Sequence, residues 1–373
     1  MVLKTAADAS SVRRWNEQRV LEALRDGDSR RVSELASATG LTTAGLRDVL
    51  RTLVAKQWVE SREITQGGKG RPAQTYRIRP LSNRILGVDI GGHTVRSVLR
   101  DGAAEVRREV SIVPSKDMAN ATRRAVEESL EGMDTAEVWS TGVALSGIVD
   151  TGGRVLRSIA LRHFEGHRPA ELLADVLPGQ VLSWHDTKAA LWAEHTEGVA
   201  RGDEDVLLLQ LGRRPTMALL LNGRLHDGAH GSAGELTFSE LLPRSFAWSG
   251  VEHDDDAQGS SLRAALDGEP EAVAAARTLF LGLAPQIAFA TGLIDPSLLV
   301  VGGSLAPVVA PVLQEFRDEL AARLETVPRV AASSLDQFAA ADGARSLSSQ
   351  AAWDALTATG EVLPLRRESL TSV

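Results

Sequence analysis

The sequence predicts an α/β protein of at least two domains, and three observations support that prediction. The chain has 373 residues, of which 43 % are hydrophobic and 24 % charged, as in globular proteins with a substantial core. Helical and hairpin patterns fill the first 80 residues. Strand patterns alternate with helical patterns in the remainder, which is typical of an α/β fold. We call residues 1–80 the head and residues 81–373 the body.

The head and the body differ in charge. The head holds 15 Lys and Arg against 9 Asp and Glu, a balance of +6, whereas the whole chain carries −8. The body therefore carries −14. A basic head on an acidic body predicts a polyanionic partner for the head alone, although chance clustering of charges gives the same pattern.

Composition also excludes several classes of protein. The chain has no cysteine, which excludes disulfides, thiol catalysis and cysteine-bound zinc. Its beginning lacks the apolar segment of a secretion signal, and no uncharged apolar run reaches 18 residues. We therefore expect a cytoplasmic, nucleoid-associated protein without a membrane partner.

Three helices are predicted in the head. Apolar residues at helical spacing predict a helix over 14–26, and a short helix should follow, capped by Ser33 and ended by Gly40. A longer helix is predicted over 43–57. Its apolar stripe consists of Leu46, Val49, Leu50, Leu53 and Val54. Two helices joined by a glycine-containing turn match the helix-turn-helix pattern.

The start of the helix over 43–57 is the predicted DNA contact. Thr42 or Thr43 should cap it, and Arg47 and Arg51, four residues apart, share a face away from the apolar stripe. A recognition helix places such residues in the major groove, where arginine contacts guanine edges or phosphates. The alternative is a pair of solvated arginines.

A hairpin follows the third helix. Alternating residues over 58–64 and 74–80 predict two strands, and the basic connection between them contains Lys69, Gly70 and Arg71. Glycine allows close approach to a groove floor, and the narrow minor groove of A·T tracts attracts arginine. The head therefore reads as a winged helix-turn-helix, the alternative at this segment being an ordinary flexible hairpin.

Glycine-rich turns connect predicted strands of the body. In the segment RILGVDIGGHTVRSVLR, Asp89 precedes Gly91 and Gly92 between two predicted strands. Such a turn can cradle a phosphate with its backbone N–H groups, but it is also a plain hairpin turn.

The ordered set of body motifs resembles the ROK family, whose name stands for repressor, open reading frame and kinase. The motifs are GVDIGG (87–92), SGIVD (146–150), HDTKAALWAEH (185–195), NGRLHDGAHGSAGEL (222–236), LIDP (293–296) and VVGGSLA (300–306). The resemblance runs from about residue 83 to about 360. It implies a two-lobed actin/hexokinase-like fold. Regulators of this family place a winged helix-turn-helix before that body, often with Gly-Arg-Pro in the wing.

The resemblance also implies a division of the body. Lobe 1 would cover about 83–186 together with a helix that returns from the C-terminal end, and lobe 2 about 187–350. An effector would bind between the lobes. Its implied site consists of Ser146, Gly147, His185, Asp186 and Glu235.

Two of these positions match catalytic features of the family's kinases. Asp186 matches their catalytic base, and His185 replaces the asparagine that contacts the sugar. A carboxylate there either removes a proton from a sugar hydroxyl or only accepts a hydrogen bond from it.

The nucleotide site departs from the family pattern. Its remnant consists of Asp89, Gly91, Gly92, Gly302 and Gly303. The second phosphate loop, glycine- and threonine-rich in the family, here contains Arg213, Arg214 and Pro215, and His93 replaces a threonine of the first loop. Bulky side chains and a proline keep backbone N–H groups from phosphates, so nucleotide binding is not expected, although the arginines could still hold an anion.

No metal site and no cofactor are expected. Phe238 replaces the histidine that binds zinc in the family, and no cysteine is present. The acidic segment EHDDD (252–256) could bind a hard cation, but a solvated loop is the simpler interpretation.

These patterns and the resemblance predict a DNA-binding repressor whose body binds, without catalysis, a sugar, a sugar phosphate or another small effector between its lobes. The expected assembly is a homodimer or homotetramer on a pseudo-palindromic operator. Two alternatives stay open. One is an active ATP-dependent sugar kinase with an appended head, and the other is a regulator whose body has only a structural role.

Overall fold

The computed structural model describes residues 9–25, 27–56, 58–64, 73–78, 85–101, 104–136, 138–236 and 262–359. The predicted α/β architecture is confirmed. Helices and a small sheet form the head, and two five-stranded sheets with flanking helices form the body.

The three predicted head helices are α1 (Ala9–Ala23), α2 (Val32–Thr39) and α3 (Thr43–Ala55). The expectation that Ser33 caps α2 is wrong. The helix begins two residues earlier than a Ser33 cap would place it, after Arg31, whose backbone N–H donates to the Glu34 carboxylate at 2.7 Å. Gly40 ends α2 at a φ of +66°, a left-handed conformation that favours glycine.

A three-stranded sheet completes the head. Its strands are β1 (Arg30–Arg31), β2 (Val59–Ile64) and β3 (Ala73–Ile78), in the antiparallel order β1-β3-β2. The predicted apolar stripe of α3 packs into a core shared by the helices and the sheet. Buried members of this head core are Val20, Leu21, Leu24, Leu35, Leu46, Val49, Leu50, Leu53, Val59, Tyr76 and Ile78.

The first body sheet, lobe 1, has the order β10-β7-β4-β5-β6. Its strands are β4 (Ile85–Ile90), β5 (Thr94–Asp101), β6 (Ala104–Ser111), β7 (Ser140–Leu145) and β10 (Gln180–His185). Strands β4, β7 and β10 run parallel to one another. Strand β5 runs antiparallel to β4, and β6 runs antiparallel to β5. A small pair, β8 (Ile148–Val149) and β9 (Val155–Arg157), and the helices α4 (Met118–Ser129) and α5 (Pro169–Leu172) accompany this sheet.

The second body sheet, lobe 2, has the order β13-β12-β11-β14-β15. Its strands are β11 (Val206–Gln210), β12 (Thr216–Leu221), β13 (Arg224–Leu225), β14 (Leu298–Gly302) and β15 (Arg329–Ala332). Its helices are α7 (Pro270–Leu281), α8 (Ala284–Ile294), α9 (Ala306–Val309) and α10 (Leu313–Ala321), and α6 (Asp186–Thr196) connects the lobes. Counted within each lobe, both sheets have the strand order 3-2-1-4-5, so lobe 2 repeats the topology of lobe 1.

One apolar stretch of lobe 2 has the length and composition of a membrane-spanning helix. Among the described residues it is Pro270–Ile294, which the structure divides into α7 and α8. Ala276, Phe280 and Ile287 face the core of lobe 2 and are buried there. The expected absence of a membrane partner stays a prediction.

The last described helix, α11 (Ala339–Thr359), returns from lobe 2 and lies across the sheet of lobe 1. Three glycines bring backbones into direct contact along it. A Cβ on Gly87 or Gly142 would lie 2.1 or 2.0 Å from a carbonyl oxygen of α11, and a Cβ on Gly343 would lie 1.8 Å from the Ala189 oxygen of α6. Glycine is required at these positions by close approach.

Candidate ligand cleft and nucleic-acid interface

A cleft of about 1270 Å³ lies between the two lobes. All ten body residues predicted to form a site line it: Asp89, Gly91, Gly92, Ser146, Gly147, His185, Asp186, Glu235, Gly302 and Gly303. The fold explains this convergence. Parallel strands β4, β7 and β10 end at one edge of lobe 1, and β11 and β14 end at the facing edge of lobe 2.

His185 is the centre of the cleft's charged floor. It ends β10 and is 5 % exposed, and α6 begins at the next residue without an intervening loop. Its Nδ1 lies 3.0 Å from the Asp186 carboxylate and its Nε2 lies 3.2 Å from the Glu235 carboxylate. One imidazole thus joins the two carboxylates that were predicted to accept hydrogen bonds from a ligand.

These contacts determine the charge of His185. Burial lowers the pKa of His185, but the charge of Asp186 and hydrogen bonds to Asp186 and Glu235 outweigh burial and raise that pKa to about 9. That pKa corresponds to an imidazolium at neutral pH, whose Nε2 donates to Glu235. Nδ1 lies near two groups, the Asp186 carboxylate at 3.0 Å and the Thr187 backbone N–H at 3.1 Å. Burial raises the pKa of Asp186, but His185 and the Thr187 backbone N–H reverse the effect and hold it below its ordinary value.

Asp89 forms a second charged group in the cleft. Burial and the nearby charge of Asp186 raise the pKa of Asp89 to about 7, against the opposing effect of Arg96. Arg96 lies opposite Asp89 in the β4–β5 hairpin, at 3.4 Å from its carboxylate, and its Nε donates to Glu109 at 2.6 Å. Sequence reasoning missed Arg96, although the alternation of residues across the hairpin could have paired it with Asp89.

Lys188 is a buried cation that sequence reasoning also missed. It lies in the first turn of α6, its side chain is 3 % exposed, and its ammonium donates to the Asp227 carboxylate at 2.8 Å and to the Gly231 carbonyl at 2.9 Å. Gly231, at a φ of +72°, contacts the backbone of Val149 in lobe 1. Lys188 therefore holds the glycine-rich loop that carries Glu235 into the cleft.

Replacement of Lys188 by methionine is expected to loosen this loop, because the Gly231 carbonyl then loses a charged donor. We expect the free energy of unfolding to fall by about 1–3 kcal/mol. Hydrogen exchange should accelerate in residues 226–235 and stay unchanged in α4. Lys116→Met, at an exposed lysine, is the control. Equal exchange in the two variants would contradict this role of Lys188.

The predicted nucleotide glycines have packing reasons for being glycine. A Cβ on Gly303 would lie 2.3 Å from the Leu211 oxygen, and one on Gly92 would lie 2.9 Å from the Ala160 Cβ. The loop between β11 and β12 places Arg213 and Arg214 at the cleft around a buried Pro215. Close packing therefore accounts for these two glycines without a bound nucleotide.

No cluster of three or more His, Cys, Asp or Glu suited to a metal ion occurs in the part of the chain that the structure describes. Phe238 and the acidic segment 252–256 lie outside the described residues. Because the chain has no cysteine, a thiolate zinc site does not fit its residues.

The head places its predicted contact residues on one exposed end of α3. Thr42 caps the helix, and its hydroxyl accepts a hydrogen bond from the Gly45 N–H at 3.3 Å. Thr43 and Arg47 are exposed, and Arg51, also exposed, is 3.0 Å from Asp48. Lys69, Gly70 and Arg71 lie outside the described residues.

Comparison with known proteins agrees with this two-part organisation. Residues 85–245 match the model of the ROK family, and residues 19–63 match the IclR helix-turn-helix domain. A segment similar to the ROK family thus follows a segment similar to the IclR helix-turn-helix. The prediction drawn from the body motifs and from the head is confirmed by these two matches.

Individual relatives of this chain include regulators and kinases. The DNA-binding transcriptional dual regulator NagC of Escherichia coli strain K12 is 21 % identical over 216 residues, which cover 56 % of this chain and 53 % of the relative. The chain thus spans about half the length of the first curated relatives that it matches.

Solved structures show the fold of the whole chain. A ROK family transcriptional regulator, homologous to the E. coli MLC protein, has a TM-score of 0.67 at 19 % identity and covers 93 % of this chain and 98 % of its own. A ROK family glucokinase from Streptomyces griseus, in complex with glucose and AMPPNP, has a TM-score of 0.59 at 23 % identity and covers 71 % and 99 %. The expected actin/hexokinase-like body is confirmed.

Proposed function

We propose that this chain is a DNA-binding transcription regulator, acting as a repressor, whose ROK body binds a sugar-like effector without phosphorylating it. The observation that carries the proposal is the exposed N-terminal end of α3 within a helix-turn-helix. Thr42, Thr43 and Arg47 are accessible there, while the opposite face of α3 is buried in the head core. This is the arrangement that a recognition helix needs in the major groove.

Replacement of Arg47 by alanine tests this proposal. We expect DNA affinity to fall by about 1–3 kcal/mol, roughly 5- to 150-fold, because one arginine contact with a base edge or phosphate is lost. Fluorescence anisotropy should be measured with a duplex selected for wild-type binding from a random-sequence pool. Arg323→Ala, which removes one exposed positive charge just after α10 of the body, is the control. No selected duplex, or equal affinity in the two variants, would contradict the proposal.

The wing is the second proposed DNA contact. Lys69, Gly70 and Arg71 would enter the minor groove next to the bases read by α3. Paired heads of a homodimer or homotetramer would read a pseudo-palindromic operator in the cytoplasm, where the protein associates with the nucleoid.

The cleft is the proposed effector site. Ser146, Gly147, His185, Asp186 and Glu235 would contact hydroxyl groups of a sugar or a sugar phosphate, because carboxylates and backbone groups suit such ligands. A thermal-shift screen with glucose, N-acetylglucosamine and their 6-phosphates tests it, since a specific ligand raises the unfolding temperature by mass action. Glu235→Gln should remove that increase. Lack of any shift would instead favour a body with a purely structural role.

Loss of kinase activity is proposed from the chemistry of Asp186. A general base works best with a pKa near the working pH, whereas the pKa of Asp186 is held below its ordinary value by His185. The glycines of both lobes nevertheless face the same cleft, which keeps the kinase alternative in view. ATP-dependent phosphorylation of a hexose that disappears in Asp186→Asn would establish that alternative.

A further inference from the structure

Helix α11 joins the cleft to the head. Ala339 and Ala340, in its first turn, line the cleft between the lobes. Trp353, near its other end, is 7 % exposed and belongs to the head core together with Val20 and Leu21 of α1. At 1.5 Å per residue, the 21 residues of α11 span about 30 Å. One straight element therefore has an end in each functional region.

The cleft end of α11 is held by charges that come from both lobes. Arg107 of β6 lies 2.9 Å from Asp336, which precedes α11, and 3.0 Å from Asp342 in its first turn. Arg345 of α11 lies 3.4 Å from Glu197, at the end of α6. We call these five residues the hinge network. The chain passes between the lobes twice, after α6 and before α11, and both passages therefore meet in the hinge network.

The middle of α11 has little freedom to slide along its support. Gly87 and Gly142 bring the sheet of lobe 1 into backbone contact with α11, so no side chain lies between them as a spacer. Ser348 and Ser140 are hydrogen bonded at 2.6 Å. Packed elements of this kind move as units rather than bend, because interiors are as dense as crystals.

The head end of α11 contacts α1 through two side chains. The guanidinium of Arg25, just after α1, lies 5.7 Å from the centre of the Trp353 ring, and it donates to the Gln350 side chain at 3.1 Å. A movement of α11 therefore acts directly on α1, and α1 packs on the recognition helix α3.

We propose that α11 couples the opening and closing of the cleft to the DNA-binding head, with the hinge network at one end and the contact of Trp353 and Arg25 at the other. This inference rests on the proposed function and adds how a ligand in the cleft changes DNA affinity. Lobe closure displaces the crossings at Asp336 and Glu197, α11 moves as one unit with the lobe 1 sheet that supports it, and α1 then repositions α3. Coupling of this kind requires an element whose position both sites bias.

Hydrogen exchange tests the coupling without a ligand or DNA. Arg107→Met removes the cation between Asp336 and Asp342 and should change exchange in α1 by between about twofold and thirtyfold. Arg123→Met is the matched control, because Arg123 also bridges carboxylates of lobe 1, at Asp175 and Glu127, outside the hinge network and with the same exposure of 32 %. Asp336→Asn, at an exposed carboxylate, is the milder variant and should act in the same direction. Unchanged exchange in α1 in both hinge variants would overturn the proposal.

A double-mutant cycle tests the head end with the duplex selected for wild-type binding. Arg107→Met should change DNA affinity by about twofold to thirtyfold in the wild-type background, and by less than about twofold when Arg25→Met has already separated α1 from α11. The same fold-change in both backgrounds would overturn the coupling through Arg25. If no duplex is selected, the proposed function fails, but the exchange experiment still decides whether α11 connects the two regions.

Discussion

A Gly343→Ala variant is expected to unfold roughly 5–10 °C below the wild-type protein. A Cβ at this position would lie 1.8 Å from the Ala189 carbonyl oxygen and 2.4 Å from its carbon, and both atoms belong to the backbone of α6. Neither can turn aside as a side chain does, so α6 and α11 must separate. Overpacking of this kind costs about 3 kcal/mol. In a protein of this size, each kcal/mol lowers the unfolding temperature by about 2–4 °C.

A second helical glycine supplies the control for Gly343. Gly292 lies in α8, where a Cβ would make an ordinary contact with Leu324 at 3.5 Å. Both substitutions gain the same preference of alanine for helix, about 1 kcal/mol, so only the close approach differs between them. Differential scanning calorimetry should show Gly292→Ala at or above the wild-type unfolding temperature. Unfolding of the two variants within about one degree of each other would mean that α6 and α11 tolerate a spacer.

A His185→Leu variant is expected to lose about 3–5 kcal/mol of unfolding free energy at pH 7. Leucine fills a similar volume but removes the cation that the Asp186 and Glu235 carboxylates share, and removing one partner of a buried ion pair is costly. Denaturant titration measures the loss. His167→Leu, at an exposed histidine, should differ little from the wild-type protein.

The loss in His185→Leu should depend on pH in a defined direction. Because folding raises the pKa of His185 from 6.5 to about 9, its stabilisation is complete below about pH 6.5 and is lost as the pH rises through about 9. The wild-type protein should therefore lose most of its advantage over the variant by pH 10. An equal difference at pH 7 and pH 10 would show that His185 is neutral in the folded protein.

Periodic patterns and strand ends were the features that the sequence could predict. The apolar residues of α3 recur at spacings of three and four, so Leu46 and Leu50 could be placed in the head core. Site residues follow strands directly, as His185 follows β10, and parallel strands bring such residues to one edge. Local rules therefore sufficed for α3, whereas the residues of the cleft were identified through the resemblance to the ROK family.

Contacts between distant residues were beyond that reasoning. The partner of His185 is Glu235, fifty residues away, and nothing local indicates that the two side chains meet. Lys188 looks like an ordinary polar residue in the first turn of a helix, and its burial depends on a loop about forty residues further on. The prediction that Ser33 caps α2 failed for a different reason. Serine is only one of several residues that can begin a helix, and here the Glu34 carboxylate accepts from the Arg31 backbone N–H instead.

The position of Trp353 in the head core has a consequence for synthesis of the chain. Trp353 follows Ile78, the last residue of β3, by 275 residues. At about 5–20 residues per second, a ribosome needs roughly 15 s to a minute to add them. During that interval the Trp353 side chain is missing from the apolar core of the nascent head. The first domain to emerge therefore receives its final core residue only when the body is almost complete, so full assembly of the head waits for the body.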